Sequence, residues 1–152
     1  MKETNRIEEL IEDIYDGEPW LDVTLAGTLK NISASDAAKK VALHWNSIWE
    51  IVVHIIAWRQ TQLKRVQGNF IPSPPDNYFE PVQDQSELAW QNMLKQLKDS
   101  QQQWLDFLQK MNDDDLNKTY AGNHASYYKN IHGLIQHDAY HLGQIVLLAK
   151  KP

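Results

Sequence analysis

Three histidines carry the clearest chemical signal in this chain of 152 residues. His137 and His141 are four residues apart in HDAYHLGQIVLLAK, where apolar residues recur with helical spacing. Side chains at i and i+4 project from one helix face, so both imidazoles can reach the same metal ion. His54 lies within the apolar segment SIWEIVVHIIAW. From a facing helix it would complete a three-histidine site with open coordination positions, as catalytic metals have.

The histidine pair alone is a weak motif, because a helical histidine is more often a surface residue or a hydrogen-bonded core residue than a ligand. His54 strengthens the metal interpretation. Its apolar neighbours predict at least partial burial, and a buried imidazole needs a bonding partner. His44, His124 and His132 are predicted to lie away from the site.

Other polar and aromatic residues flank the three histidines in sequence. Glu50 has two competing interpretations: a capping-box partner of Ser47, or a hydrogen-bond acceptor or base beside a metal-bound water. One carboxylate cannot fill both roles at once. Trp58, one turn after His54, is predicted to line a pocket, and Gln144 is predicted to orient a ligand or a water.

Two more residues of the last helical segment invite a structural or catalytic interpretation. Asp138 follows the first histidine of the pair, where zincin metalloproteases carry a glutamate base. Aspartate is one methylene shorter, and the third zincin ligand pattern is absent, so we predict a polar supporting residue and no protease base. Gly143 is predicted to permit close approach of a neighbouring helix.

Four amphipathic segments must position these residues. Apolar periodicity predicts helices over about 3–15, 47–67, 86–111 and 127–150. The less regular stretch between them predicts a short helix around Trp20–Leu29 and another opened by Ser35-Asp36, and residues 72–81 predict a rigid proline-rich loop. Four helices with one apolar stripe each bury those stripes against one another. The sequence therefore predicts an all-α fold, an antiparallel four-helix bundle.

Composition narrows the possible functions. The net charge is -5 and the longest basic runs are lysine pairs, which argues against a nucleic-acid surface. The chain has no cysteine, so thiolate ligands and a cysteine nucleophile are excluded. No signal peptide and no apolar run near about 18 residues is present. We expect one domain over residues 1–152, cytoplasmic and without membrane or nucleic-acid partners.

The segments SIWEIVVHIIAWR and IQHDAYHLGQI together resemble the DinB-like and YfiT-like superfamily of metal-dependent hydrolases. The resemblance covers most of the chain, including the acidic first helix and the EPW segment. It implies a four-helix bundle with a divalent ion held by His54, His137 and His141. It also implies a homodimer. The metal is expected to be zinc or nickel, with iron or manganese as alternatives.

An open three-histidine site supports more than one reaction. The first expectation is a metal-dependent hydrolase that acts on an unknown small-molecule substrate through a metal-activated water. The alternative is a metal-dependent S-transferase with a low-molecular-weight thiol as cosubstrate. A third interpretation, from another class, is a non-catalytic, stress-related metal-binding bundle. Structural zinc usually has four protein ligands, which argues against a purely structural site.

Overall fold

The chain folds into helices joined by loops, as a computed structural model describes it over residues 1–150. No β-strand occurs in this range, where Thr119 and Ser126 form an isolated bridge. The all-α prediction is confirmed, and the last two residues of the predicted domain lie outside the described range. The helices are α1 (Glu3–Tyr15), α2 (Leu25–Leu29), α3 (Ala34–Ala38), α4 (Ile48–Val66), α5 (Glu87–Lys110), a 3-10 helix (Asp113–Asn117) and α6 (Tyr127–Ala149).

Serine side chains cap the N-termini of α4, α5 and α6, three of the four long helices. The hydroxyls of Ser47, Ser86 and Ser126 each accept a hydrogen bond from the backbone N–H three residues later. Such caps satisfy N–H groups that have no partner within the helix. At α4 the Glu50 carboxylate also accepts from the Ser47 N–H, which completes the predicted capping box.

The two short helices differ from the sequence prediction. α3 begins after Ser33, two residues before the predicted Ser35-Asp36 start, because the Ser33 hydroxyl accepts from the Asp36 N–H. α2 begins only at Leu25, where the Thr24 side chain caps it. Trp20 was predicted within this helix but lies outside it and is 95% exposed.

The four long helices contact one another around a shared interior. α4 packs against α5 and α6, and α1 packs against the same two helices. Trp49, Trp90 and Trp104 are almost completely buried among aliphatic side chains. The two helices that carry the candidate metal ligands, α4 and α6, are therefore direct neighbours.

The proline-rich loop after α4 folds back along that helix. Arg65 donates hydrogen bonds to the Ile71 carbonyl, and the Thr61 hydroxyl donates to the Tyr78 hydroxyl. Asn77 and Tyr78 both adopt the left-handed conformation, with φ of 53° and 61°. Non-glycine residues adopt it rarely and need surrounding contacts to hold it. The loop thereby gains a fixed path over the face of α4 that carries His54.

None of the helices among residues 1–150 combines enough length with enough apolar character to cross a membrane.

Candidate metal centre

His54 from α4 and His137 and His141 from α6 meet at the contact between the two helices. Their candidate ligand nitrogens all lie within 4.8 Å of one another. His54 and His141 are 1% and 5% exposed, whereas the His137 side chain is 25% exposed. The structure thus brings together the three residues that the sequence singled out, with His137 as the member nearest to solvent.

Contacts from the proline-rich loop fix the orientation of His54. Its Nδ1 lies 2.6 Å from the Asn77 carbonyl oxygen, which can only accept, so Nδ1 carries the proton. Phe79 stacks on the imidazole with ring centroids 4.0 Å apart. Burial lowers the pKa of His54 to about 4, so the ring is neutral at pH 7. Its Nε2 therefore offers a lone pair towards the other histidines.

His141 is oriented by a residue one turn further along α6. Its Nδ1 lies 2.7 Å from Gln144 Oε1 and donates to it, which leaves Nε2 as the free ligand atom. Burial lowers the pKa of His141 below its ordinary value, so this ring also favours the neutral form. Gln144, which the sequence predicts to orient a ligand or a water, is thus the hydrogen-bond partner of the candidate ligand His141.

The outer nitrogen of each of the three histidines is Nδ1, which points away from the cluster. In His137 this nitrogen faces a buried network of charged residues. Its Nδ1 is 3.5 Å from Asp138 Oδ1, and both atoms are buried without a hydrogen-bond partner among the described residues. The other Asp138 oxygen accepts from Arg59 Nε at 2.8 Å. Arg59 also donates to Gln101 on α5. The carboxylate therefore places negative charge behind the ring, as carboxylates do behind metal-bound histidines.

His54, His137 and His141 form a donor set that suits a divalent transition metal. Neutral imidazole nitrogens bind zinc, nickel, iron and copper alike. The Nε2 atoms of His54 and His137 are 2.9 Å apart, and the whole set spans up to 4.8 Å. Metal–nitrogen bonds of 2.0–2.1 Å in tetrahedral geometry separate the nitrogens by about 3.4 Å, within that range.

Glu50 occupies the capping position and not the histidine cluster. One carboxylate oxygen accepts from the Ser47 N–H at 2.7 Å, and the other pairs with Lys40 Nζ at 3.0 Å. Both oxygens are thus engaged at the start of α4. Of the two roles weighed for Glu50, the structure favours the capping box, and we assign it no contact with the metal centre.

One cavity borders the histidine cluster, and another lies beside Gln144. The first, of about 290 Å³, is lined by Trp58 and Gln62 of α4, by residues of α6 that include His137, and by Asn123 and Ala125 of the loop before α6. Trp58 is held there by a hydrogen bond from its Nε1 to Asn77 Oδ1. A second cavity, of about 350 Å³, is lined by Gln144, His44 and Trp45. Trp58 therefore lines a cavity that includes His137, whereas Gln144 lines one that includes none of the three clustered histidines.

The other histidines lie outside the cluster. His44 and His124 are exposed, and His132 packs against Tyr128 with ring centroids 4.2 Å apart. Gly143 does not serve the predicted helix approach, because a Cβ at that position would meet no atom within 4 Å.

Sequence reasoning missed Asn77, Phe79 and Arg59. Nothing in a proline-rich loop signals that a backbone carbonyl will reach a histidine more than twenty residues earlier. The burial of Arg59 could have been predicted from the sequence, since it follows Ile55 by four residues and precedes Leu63 by four, on the core face of α4. A cation at such a position predicts a buried acidic partner.

A family model described as the DinB superfamily matches residues 22–145, which includes α4, α5 and all three histidines. No curated protein and no solved structure matches the chain.

Proposed function

Because the chain belongs to the DinB superfamily, we propose that His54, His137 and His141 hold a divalent metal ion and that this centre hydrolyses a small-molecule substrate. The observation that carries the proposal is the convergence of three imidazole nitrogens, with the outer nitrogens of His54 and His141 bonded to carbonyl oxygens. Zinc or nickel suits these nitrogen donors first.

The donor set leaves coordination positions for water and substrate. A divalent ion in such a site lowers the pKa of a bound water towards about 7 and polarises a carbonyl oxygen. Burial favours the neutral forms of His54 and His141, and the hydrogen bonds of their Nδ1 atoms turn Nε2 of each ring towards the site. A substrate would enter along Trp58 and His137, because His137 is the least buried of the three histidines.

Titration calorimetry with zinc and with nickel tests the metal centre. Wild-type protein is expected to bind one ion per chain, and His54→Gln is expected to weaken binding at least about ten-fold. His44→Gln is the matched control, because His44 is exposed and lies outside the cluster. Equal affinity in wild type and His54→Gln would refute the proposed site.

Turnover is tested separately, with the metal-loaded protein and a panel of ester, amide and lactone substrates. Hydrolysis that needs the metal and is lost in His137→Ala supports the proposal. Saturable binding of a low-molecular-weight thiol without hydrolysis would support the thiol S-transferase instead. A metal that binds and raises the melting temperature, with no turnover of either kind, would favour the non-catalytic binding protein.

We also propose the antiparallel four-helix bundle for the arrangement of α1, α4, α5 and α6, supported by the contacts of α1 and α4 with both other helices. A single domain and a cytoplasmic location stay predictions of the sequence, and homodimerisation stays an expectation from the family resemblance.

A further inference from the structure

The cavity beside His137 runs along α6 towards its N-terminus. Lys129, Gly133 and His137 follow one another at four-residue intervals on one face of this helix and all line the cavity. Eight residues of α-helix span about 12 Å. The space therefore extends from the candidate metal centre along α6 to Lys129, an exposed residue.

Two side chains of α4 form the opposite wall. Trp58 presents its indole ring 6.1 Å from the His137 ring, between centroids, and Gln62 follows one turn later. Gln62 Oε1 is buried and has no hydrogen-bond partner among the described residues. The wall thus combines a flat apolar surface with a polar atom that a ligand can satisfy.

The charge of this cavity differs from that of the protein. Lys129 is the one lysine or arginine among its lining residues, none of which is aspartate or glutamate, although the chain carries a net charge of -5. The ion pairs of residues 1–150 do not include Lys129. By contrast, three other cavities are lined by Glu18, Asp22, Glu80 or Asp84. Lys129 is therefore available to a ligand of opposite charge.

Gly133 keeps the middle of the cavity open. A Cβ at this position would meet no atom within 4 Å, so a side chain here would extend into free space. Glycine within a helix costs about 1 kcal/mol relative to alanine. Here that residue leaves room between His137 and Lys129.

We infer that this cavity binds the body of an elongated monocarboxylate substrate, whose reacting group lies at the three histidines and whose carboxylate pairs with Lys129. A planar or apolar middle section would pack on Trp58 and pass over Gly133. One ammonium group matches a singly charged carboxylate better than a doubly charged phosphate. The inference rests on the proposed metal centre and specifies the substrate class of that centre.

Four hydroxamates separate metal binding from recognition by the cavity. Acetohydroxamate binds a metal without filling the cavity, and benzohydroxamate adds the planar ring. 4-(Carboxymethyl)benzohydroxamate and its primary amide have nearly the same size and differ in charge. Affinities are measured by calorimetry with metal-loaded wild type, Lys129→Gln and Gly133→Leu. Lys98→Gln and Gly143→Leu are the matched controls, since both residues are exposed and lie outside this cavity.

Wild type is expected to bind the carboxylate about five-fold more tightly than the amide, and Lys129→Gln should remove this preference. Gly133→Leu should weaken the binding of 4-(carboxymethyl)benzohydroxamate and of its amide, the two ring-extended probes, at least about ten-fold. Acetohydroxamate binding should stay unchanged, which also shows that the variant is folded. Both controls should behave as wild type.

Two outcomes would overturn the inference. Equal binding of the carboxylate and the amide to wild type, with acetohydroxamate still bound, would reject the carboxylate while the metal centre stands. A carboxylate preference that survives Lys129→Gln, or ring-extended probes unaffected by Gly133→Leu, would place the substrate elsewhere. Absence of metal binding, seen in the titration without any hydroxamate, would reject the proposed function as well.

Discussion

Each of the three clustered histidines has an oxygen of a different kind behind its outer nitrogen. His54 faces the Asn77 carbonyl, His141 faces the Gln144 amide and His137 faces the Asp138 carboxylate. The ligands themselves were predictable, because four-residue spacing on one helix is a local property. The Asn77 carbonyl was not, since it depends on a left-handed loop conformation that α4 and the loop stabilise together.

Burial of His54 predicts that the metal-free protein loses stability in acid. The unfolded ring takes up a proton near pH 6.5, whereas in the folded protein its pKa is about 4. Between these values the unfolded state binds more protons, so the free energy of unfolding falls as the pH falls. The full shift corresponds to roughly 3 kcal/mol.

Urea denaturation of the chelator-treated protein between pH 7 and pH 4 measures this effect. His54→Gln should lose stability less steeply over that range, while His44→Gln, changed at an exposed residue, should follow wild type. Identical slopes for wild type and His54→Gln would contradict the burial argument.

At the scale of the elements, the sequence at the start of α4 allowed two interpretations of Glu50 and could not decide between them. S-x-x-E ahead of an apolar run predicted a capping box, and Glu50 one turn before His54 also suited a metal-centre base. The structure favours the cap because both carboxylate oxygens are already bonded, to the Ser47 N–H and to Lys40. The cap fixes where α4 begins and hence which face carries His54.

Glu50→Gln tests this assignment. Glutamine also serves at the third position of a capping box, so the helix start is retained and only the Lys40 ion pair is lost. We expect a loss of stability below about 1 kcal/mol, since Lys40 is partly exposed. Metal affinity and turnover should stay within about two-fold of wild type. A ten-fold loss of turnover at unchanged stability would indicate that Glu50 acts in the catalytic centre.

At the scale of the molecule, a buried polar network joins the four long helices behind the metal centre. Arg59 of α4 bonds Asp138 of α6 and Gln101 of α5, and Gln101 in turn donates to the Ile11 carbonyl of α1. Apolar periodicity predicted each of these helices separately, because it is a property of one segment of sequence at a time. The partners of Arg59 could not be read in the same way, because they depend on how the helices pack.

The network makes Asp138 important for both stability and metal binding. Asp138→Asn leaves the buried Arg59 without its counterion, and breaking a buried ion pair by changing one partner costs about 3 kcal/mol. It also removes the negative charge behind His137, so metal affinity should fall about ten-fold. Chemical denaturation and calorimetry measure the two effects. Asp99→Asn is the control, because it disrupts an exposed ion pair with Lys95 and should change stability by less than about 0.5 kcal/mol. If Asp138→Asn lost stability but bound metal as wild type does, the carboxylate would serve the packing of the helices and not the orientation of His137.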